Sequence, residues 1–457
     1  MKPKRLAFFS PLKPDRTGVA DYAEKLLPHL AQHFDIDLYV EKSLSVTQEV
    51  FPDFNVFYRR DYELQRRKTP YDLNVYQIGN SYFHRFIYPV MVRYPGAVIL
   101  HDANIHHSRA YTHLYEQNLK YYLNEITWNH GDEGRRIGPA IAHGYQSPVL
   151  YDMYPMLKII GESAASVLVH NQFAEQRIQQ YIGENRIFRI HLPYVDEGIP
   201  DYQKARNELG IEQNQLVIAS FGFVTYEKRL HQSLKAFEFF QQEYPQSQYV
   251  LVGGCLDDQY GKQLQEYVSA IPNTHITGYV DDKTFKKWLA ACDICISLRY
   301  PTQGESSDVL IRIMGAGKPV ITPAYRQFLE VPPDCCVHIP LWPNEAYSVL
   351  AALRELVDNP NEKDLIGKNA RNYILENHSL EKWIESMTEA LEKTTKLPTL
   401  SPLSSRCVLK HIRVEAVEDS IVQKLIQWGD FAQHPYIVQP LAKAIHELGI
   451  DDTEETP

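Results

Sequence analysis

The sequence predicts an α/β protein built from two doubly wound, parallel-sheet domains. Three observations carry this. The chain has 457 residues, too long for one ordinary core. Short apolar runs alternate with amphipathic helical stretches, the pattern of a parallel sheet wrapped by helices. That alternation occurs in full in each half of the chain. A composition of 44% hydrophobic and 23% charged residues suits a soluble globular protein.

In the first half the strand-like runs are "RLAFFS", "DIDLYV", "LNVYQIG", "AVILHD", "SVLVHN" and "IFRIHLP". The opening run passes within ten residues into Pro-Leu-Lys-Pro-Asp, so it reads as a strand and not as a signal peptide. A helical stretch, "GVADYAEKLLPHLAQHF", follows it. Residues 105–162, rich in aromatics and histidine, are too long for a plain crossover and read as a helical insertion. In the second half the runs are "LVIASFGF", "YVLVGG", "HITGYV", "ICISLRY", "KPVITP" and "CVHIP", with a helix expected over Lys228–Tyr244. The turn-rich, charged stretch Leu192–Gln215 marks the boundary. Domains are therefore expected at 1–195 and 196–395, with a Pro/Ser linker and small helical tail at 396–457.

A net charge of −10 argues against nucleic acid as a partner, since phosphate binding needs a Lys/Arg excess. No apolar run approaches ~18 residues, so no spanning helix is expected. Cys292 and Cys295 form a CxxC, but no second pair completes a zinc site. Buried free thiols in a reducing cytoplasm are the expectation.

Ligands of open parallel sheets bind beyond the carboxyl ends of the strands, so chemistry belongs in the loops that follow them. After the first strand, Gly18 stands at a turn into a helix, where backbone can approach a ligand. After "AVIL" come His101 and Asp102, a polar cleft pair whose spacing to later histidines matches no standard metal set. In "SFGFVTYEKRL", Gly222 follows a strand, and Lys228 and Arg229 stand at a helix start, two cations suited to a diphosphate. In "YPTQGESSDVLIRIMGAGKPVIT", Ser306 and Ser307 are N-cap types for a helix beginning near Asp308, whose first-turn N–H groups attract phosphate. Glu305 beside them either accepts hydrogen bonds from hydroxyls or merely caps that helix. Hydroxyls next to a diphosphate describe a nucleotide-sugar.

Taken in order over roughly residues 5–395, these stretches resemble the retaining glycosyltransferases of group 1, also called glycosyltransferase family 4, with the GT-B fold. That fold has two Rossmann-like domains facing across a cleft. The resemblance implies hexosyl transfer from a nucleotide-sugar to a carbohydrate, lipid-linked or small-molecule acceptor, with retention of configuration, no metal and no cofactor. By position it implies that Gly18 lies near the donor phosphates, that His101 lines the reaction centre and that Lys228 contacts the diphosphate. It further implies that backbone around Gly278–Val280 meets the base, that Glu305 holds sugar hydroxyls and that N–H groups near Val309 and Leu310 hold the distal phosphate. Two departures stand out: Phe223 replaces a frequent arginine, and Arg312 occupies the place of a second glutamate. Arg299 or Arg229 is expected to supply the missing cation, and Arg312 to make its own nucleotide contact. The basic run Phe57–Lys68 is either a membrane-facing surface, giving peripheral contact at the inner face of a membrane, or a solvated face, given Asp61 and Glu63 inside it. A non-catalytic scaffold and a sugar-nucleotide epimerase of the same fold are the competing functions.

Overall fold

The structure is a computed structural model that describes residues 3–115, 118–145, 148–255, 259–341, 343–398 and 400–401. The expected tail at 396–457 lies mostly outside these residues. The described chain divides into two compact units. One takes the chain to His170, then Ala174–Ile190 and the stretch from Ser386; the other takes Asn171–Phe173 and His191–Glu385.

The first unit is built on a seven-stranded sheet: β1 (Arg5–Phe9), β2 (Asp35–Val40), β3 (Asn55–Tyr58), β4 (Leu73–Ile78), β5 (Ala97–Leu100), β6 (Ser166–Val169) and β7 (Ile187–Arg189). Its order is β3-β2-β1-β4-β5-β6-β7, with every pairing parallel. The second unit has six strands: β8 (Val217–Phe221), β9 (Gln248–Val252), β10 (Thr274–Ile276), β11 (Ile294–Ile296), β12 (Val320–Pro323) and β13 (Val337–Ile339). These are also all parallel, in the order β10-β9-β8-β11-β12-β13. Central strands such as β8 and β5 are buried at every residue, because helices cover both faces of a parallel sheet. The strand order reverses between β1 and β4 and between β8 and β11, the switch points where such sheets take ligands.

One strand was not expected. β3 is only "NVFY" at the sheet edge, half-buried and followed at once by the basic run, so its apolar pattern is too short to stand out. The run begins in the last two residues of β3, passes through a 3-10 turn at Arg59–Asp61 and ends as a short helix, Tyr62–Lys68. Its arginines are engaged locally. Arg66 and Arg67 lie 3.5 and 3.9 Å from Glu63, and the Arg66 guanidinium sits 4.5 Å from the centre of the Tyr94 ring.

The insertion is helical, with helices at His106–Tyr115, Leu119–Ala142, Pro148–Met153 and Lys158–Ser163. A buried bidentate pair ties the first two together. Arg109 Nε and Nη2 each lie 2.7 Å from a Glu125 oxygen, and His113 Nε2 is 2.5 Å away. Burial alone would raise the Glu125 pKa; Arg109 and His113 override it and bring it to about 2. A carboxyl depressed in this way contributes stability above its unfolded pKa, and that contribution is lost as pH falls toward 2.

The end of the helix Leu380–Thr394 belongs to the first unit, where Thr394 Oγ1 lies 2.7 Å from Ser166 Oγ. Cys292, Cys295, Cys335 and Cys336 are buried free thiols, with the Cys292 and Cys295 sulfurs 3.5 Å apart. Among the described residues there is no cluster of three or more potential metal ligands, and no helix is long and apolar enough to cross a membrane.

Candidate active site

The loops after β8 and β11, on either side of the second unit's switch point, converge on one charged pocket. Ser220, Lys228, Ser297, Arg299, Ser307 and Val309 are among its lining residues. β8 runs straight into Gly222, whose φ of +88° favours glycine. A Cβ there would come 2.4 Å from Lys228 Nζ and 3.3 Å from Val309 Cγ2, so the missing side chain is what lets the lysine fold back. Lys228 closes the 3-10 turn Tyr226–Lys228, and its Nζ donates to Phe221 O at 2.9 Å. Burial pulls its pKa down to about 7, and the neighbouring charge of Arg299 adds to the fall.

Arg299 is paired with Glu305. The other carboxylate oxygen of Glu305 accepts from Thr302 Oγ1 and from Gln303 N, both at 2.8 Å. Gln327 Nε2 donates to Thr302 Oγ1 at 2.5 Å and to Glu305 O at 3.1 Å. Asn171 Nδ2 donates to Gly304 O at 2.9 Å and to Ser306 Oγ at 3.0 Å. Glu305 is thus the centre of a tied loop and not a helix cap. The cap of the helix Asp308–Gly315 is Ser307, whose Oγ accepts from Leu310 N at 3.2 Å. That bond takes the Leu310 amide, so the first-turn N–H groups left for an anion are those of Asp308 and Val309. Ser307→Ala is expected to lower stability by about 1 kcal/mol in denaturant titration, the usual cost of a lost serine cap.

Two expected nucleotide contacts are turned elsewhere. Arg229 takes a left-handed backbone (φ 55°) and reaches Glu345, with Nε 2.9 Å and Nη2 2.5 Å from Oε2. Arg312 Nη2 lies 2.5 Å from Asp282 Oδ1, and its guanidinium is 3.8 Å from the centre of the Phe285 ring. Of Arg299 and Arg229, Arg299 lines the pocket with Lys228. Phe223, in place of the expected arginine, is 56% exposed. Asp281 caps the helix Asp282–Ala291 by accepting from Thr284 N at 2.7 Å.

In the first unit, Gly18 begins the helix Gly18–Leu30, capped by Thr17 Oγ1, which accepts from Ala20 N at 3.0 Å. A Cβ on Gly18 would meet nothing within 4 Å, so local packing does not demand glycine there. His101 follows β5 and is held on both ring nitrogens. Nε2 is 3.3 Å from the Gln77 side chain and Nδ1 is 3.2 Å from His170 Nε2. Burial pushes its pKa well below the usual histidine value, and His170 and His84 add to this. Asp102 accepts from Asn80 N at 2.6 Å, a loop contact. His170, Asn171, Gln327 and Glu345 escaped the sequence reading, because each acts on a partner far along the chain. The "HN" after "SVLV" was the one available signal: two polar residues just beyond a strand end.

Residues 201–373 match the family of glycosyl transferases group 1. An uncharacterized glycosyltransferase of Methanocaldococcus jannaschii is 24% identical over 226 residues, 47% of this chain. The match spans 56% of that relative's length. Among solved structures, Anabaena HepE in complex with UDP-glucose superposes with a TM-score of 0.61 at 15% identity, covering 85% of this chain and 99% of that one. Sucrose-phosphate synthase from Thermosynechococcus elongatus gives 0.58 at 16% identity, covering 85% and 98%. The chain thus has the two-sheet GT-B fold, and its residues 201–373 match the family of glycosyl transferases group 1.

Proposed function

We propose that this protein is a retaining, metal-independent hexosyltransferase that moves a sugar from a nucleotide-sugar to an acceptor hydroxyl. The observation that carries the reading is Lys228, a buried amine beside Arg299 and the first turn of the helix Asp308–Gly315. A diphosphate needs such a set: two cations and backbone N–H groups in a place where water is sparse.

In this reading Lys228 and Arg299 hold the diphosphate, and the Asp308 and Val309 amides hold its distal phosphate. Glu305 accepts hydrogen bonds from sugar hydroxyls, the backbone of Gly278–Val280 meets the base, Gly18 lies near the donor phosphates and His101 lines the reaction centre. The bond from the anomeric carbon to the phosphate oxygen breaks as the acceptor oxygen attacks the same face. The acceptor's proton passes to the departing phosphate. Charge growing on that oxygen is met by Lys228 and the helix amides, which bind it more strongly than the ground state. HepE was solved with UDP-glucose, so uridine diphosphate sugars are the first donors to try. The acceptor is a carbohydrate, a lipid-linked sugar or a small molecule, and the cytoplasm, with peripheral contact through Phe57–Lys68, is the proposed place.

Incubation with a panel of nucleotide-sugars tests this. Slow hydrolysis of one donor to sugar and nucleoside diphosphate is the expected result. An isomerised sugar still joined to its nucleotide would move the protein to the epimerases, and no binding at all would leave a scaffold.

A further inference from the structure

His101 does not stand alone. It belongs to a chain of hydrogen bonds within the first unit whose proton positions can be worked out from the partners. His170 Nδ1 lies 2.9 Å from the backbone oxygen of Ile190. A carbonyl only accepts, so Nδ1 carries the proton, and in a neutral ring Nε2 is then a bare lone pair. That lone pair faces His101 Nδ1 at 3.2 Å, so the proton between the rings belongs to His101 Nδ1. His101 Nε2 is left bare.

The structure places the Gln77 oxygen toward His101 Nε2 and Ser10 Oγ, but the oxygen and nitrogen of an amide are interchangeable in shape, and the bonds decide between the two orientations. With the nitrogen toward His101, one N–H donates to Nε2 at 3.3 Å. The other donates to Ser10 Oγ, also at 3.3 Å, and the Ser10 hydroxyl gives its own proton to Pro11 O at 2.7 Å. Each of these contacts then pairs one donor with one acceptor while both rings stay neutral. The opposite orientation protonates His101 at Nε2 and sets two lone pairs against each other between the rings, unless an extra proton makes a charged imidazolium. Burial opposes that charge, as the lowered pKa of His101 reflects.

We propose that His170 is a positioning residue that holds His101 in its Nδ1–H tautomer, so that Nε2 acts as a hydrogen-bond acceptor. The 3.3 Å contact from Gln77 is long, and a substrate hydroxyl can replace it. His101 would then take a hydrogen bond from a hydroxyl and give none. This role rests on the reading above, which sets His101 near the reacting sugar; the tautomer does not.

The test is heteronuclear NMR of the full-length protein labelled with 15N-histidine. Wild type is expected to show His101 with Nδ1 protonated and Nε2 bare. His170→Phe, which removes the acceptor, should shift His101 to the Nε2–H form, and His170→Gln, whose side-chain oxygen can accept, should restore Nδ1–H. An Nε2–H or imidazolium His101 in the wild type overturns the proposal, and so does an unchanged tautomer in a folded His170→Phe. If His170→Phe does not fold, the wild-type pattern decides alone. With the donor hydrolysed in the panel, UDP-glucose being the first probe, His170→Phe should lower kcat at least ~10-fold with KM little changed. His170→Gln should recover most of it. A correct tautomer with no hydrolysis of any donor would count against the proposed function and leave the tautomer assignment standing.

Discussion

Lys228→Ala is expected to weaken binding of a free nucleoside diphosphate by roughly 10- to 150-fold, the worth of a charge-assisted hydrogen bond of roughly 1.5–3 kcal/mol. It should also abolish a proton uptake that accompanies binding. In the free protein the amine is buried against Phe221 O and Arg299, with a pKa near 7, so at pH 8 it is mostly neutral. A diphosphate beside it favours the ammonium, and about one proton should enter from the buffer on binding. Titration calorimetry at pH 8 in buffers of different ionisation enthalpy reads this directly. The sign also holds for folding. The folded pKa lies below the unfolded value of 10.5, so the unfolded chain binds more protons between about 7 and 10.5. Stability of the free protein should therefore rise with pH across that window and rise less in Lys228→Ala.

Gly222→Ala provides the geometric control. It keeps the charge but sets a methyl 2.4 Å from the Lys228 Nζ position, on a backbone with φ of +88°. The amine must move, and diphosphate affinity should fall by a similar factor. Unchanged affinity in both variants, with no proton uptake in the wild type, would remove Lys228 from the site.

The fold was legible because parallel sheets bury their strands on both faces. Runs such as "LVIASFGF" and "AVILHD" stand out as continuous apolar stretches, whereas the half-buried edge strand Asn55–Tyr58 does not. The second unit's pocket was legible for a related reason. Gly222 and Lys228 lie in the loop that follows β8, Arg299 and Ser307 in the one that follows β11, and sheet order brings those strand ends together. Side-chain direction was not legible. Arg229 is next to Lys228 in sequence, yet its guanidinium goes to Glu345, more than a hundred residues on; nothing local announces that pairing. Arg312 sits one helical turn from Asp308 but is drawn outward by Asp282 and Phe285. The bond from Leu310 N to Ser307 Oγ shows the same limit at short range: the serine's type announced a cap, but not which amide the cap would take.

Glu305→Gln should separate the sugar from the diphosphate. The carboxylate already accepts from Arg299, Thr302 Oγ1 and Gln303 N, which fills three of its roughly four acceptor positions. A sugar hydroxyl must therefore use the last position or displace Arg299. Glutamine is nearly the same size and keeps an oxygen for Thr302 and Gln303, so the loop should hold its shape. Its amide nitrogen, however, meets the Arg299 guanidinium donor to donor, and the pair is lost. The intact nucleotide-sugar should then bind at least ~10-fold more weakly, for the loss of one charge-assisted bond of roughly 1.5–3 kcal/mol. The free nucleoside diphosphate should bind as well as before or slightly better. It has no sugar to hold, and an Arg299 released from its counter-charge adds positive potential beside Lys228. Glu305→Ala should show the same split together with a lower melting temperature, because Thr302 and Gln303 lose their acceptor as well. Calorimetric titration of each variant with both ligands makes the comparison. A parallel fall for both ligands would mean that Glu305 only ties the loop from Thr302 to Ser306, and the sugar hydroxyls would have to be held by other residues.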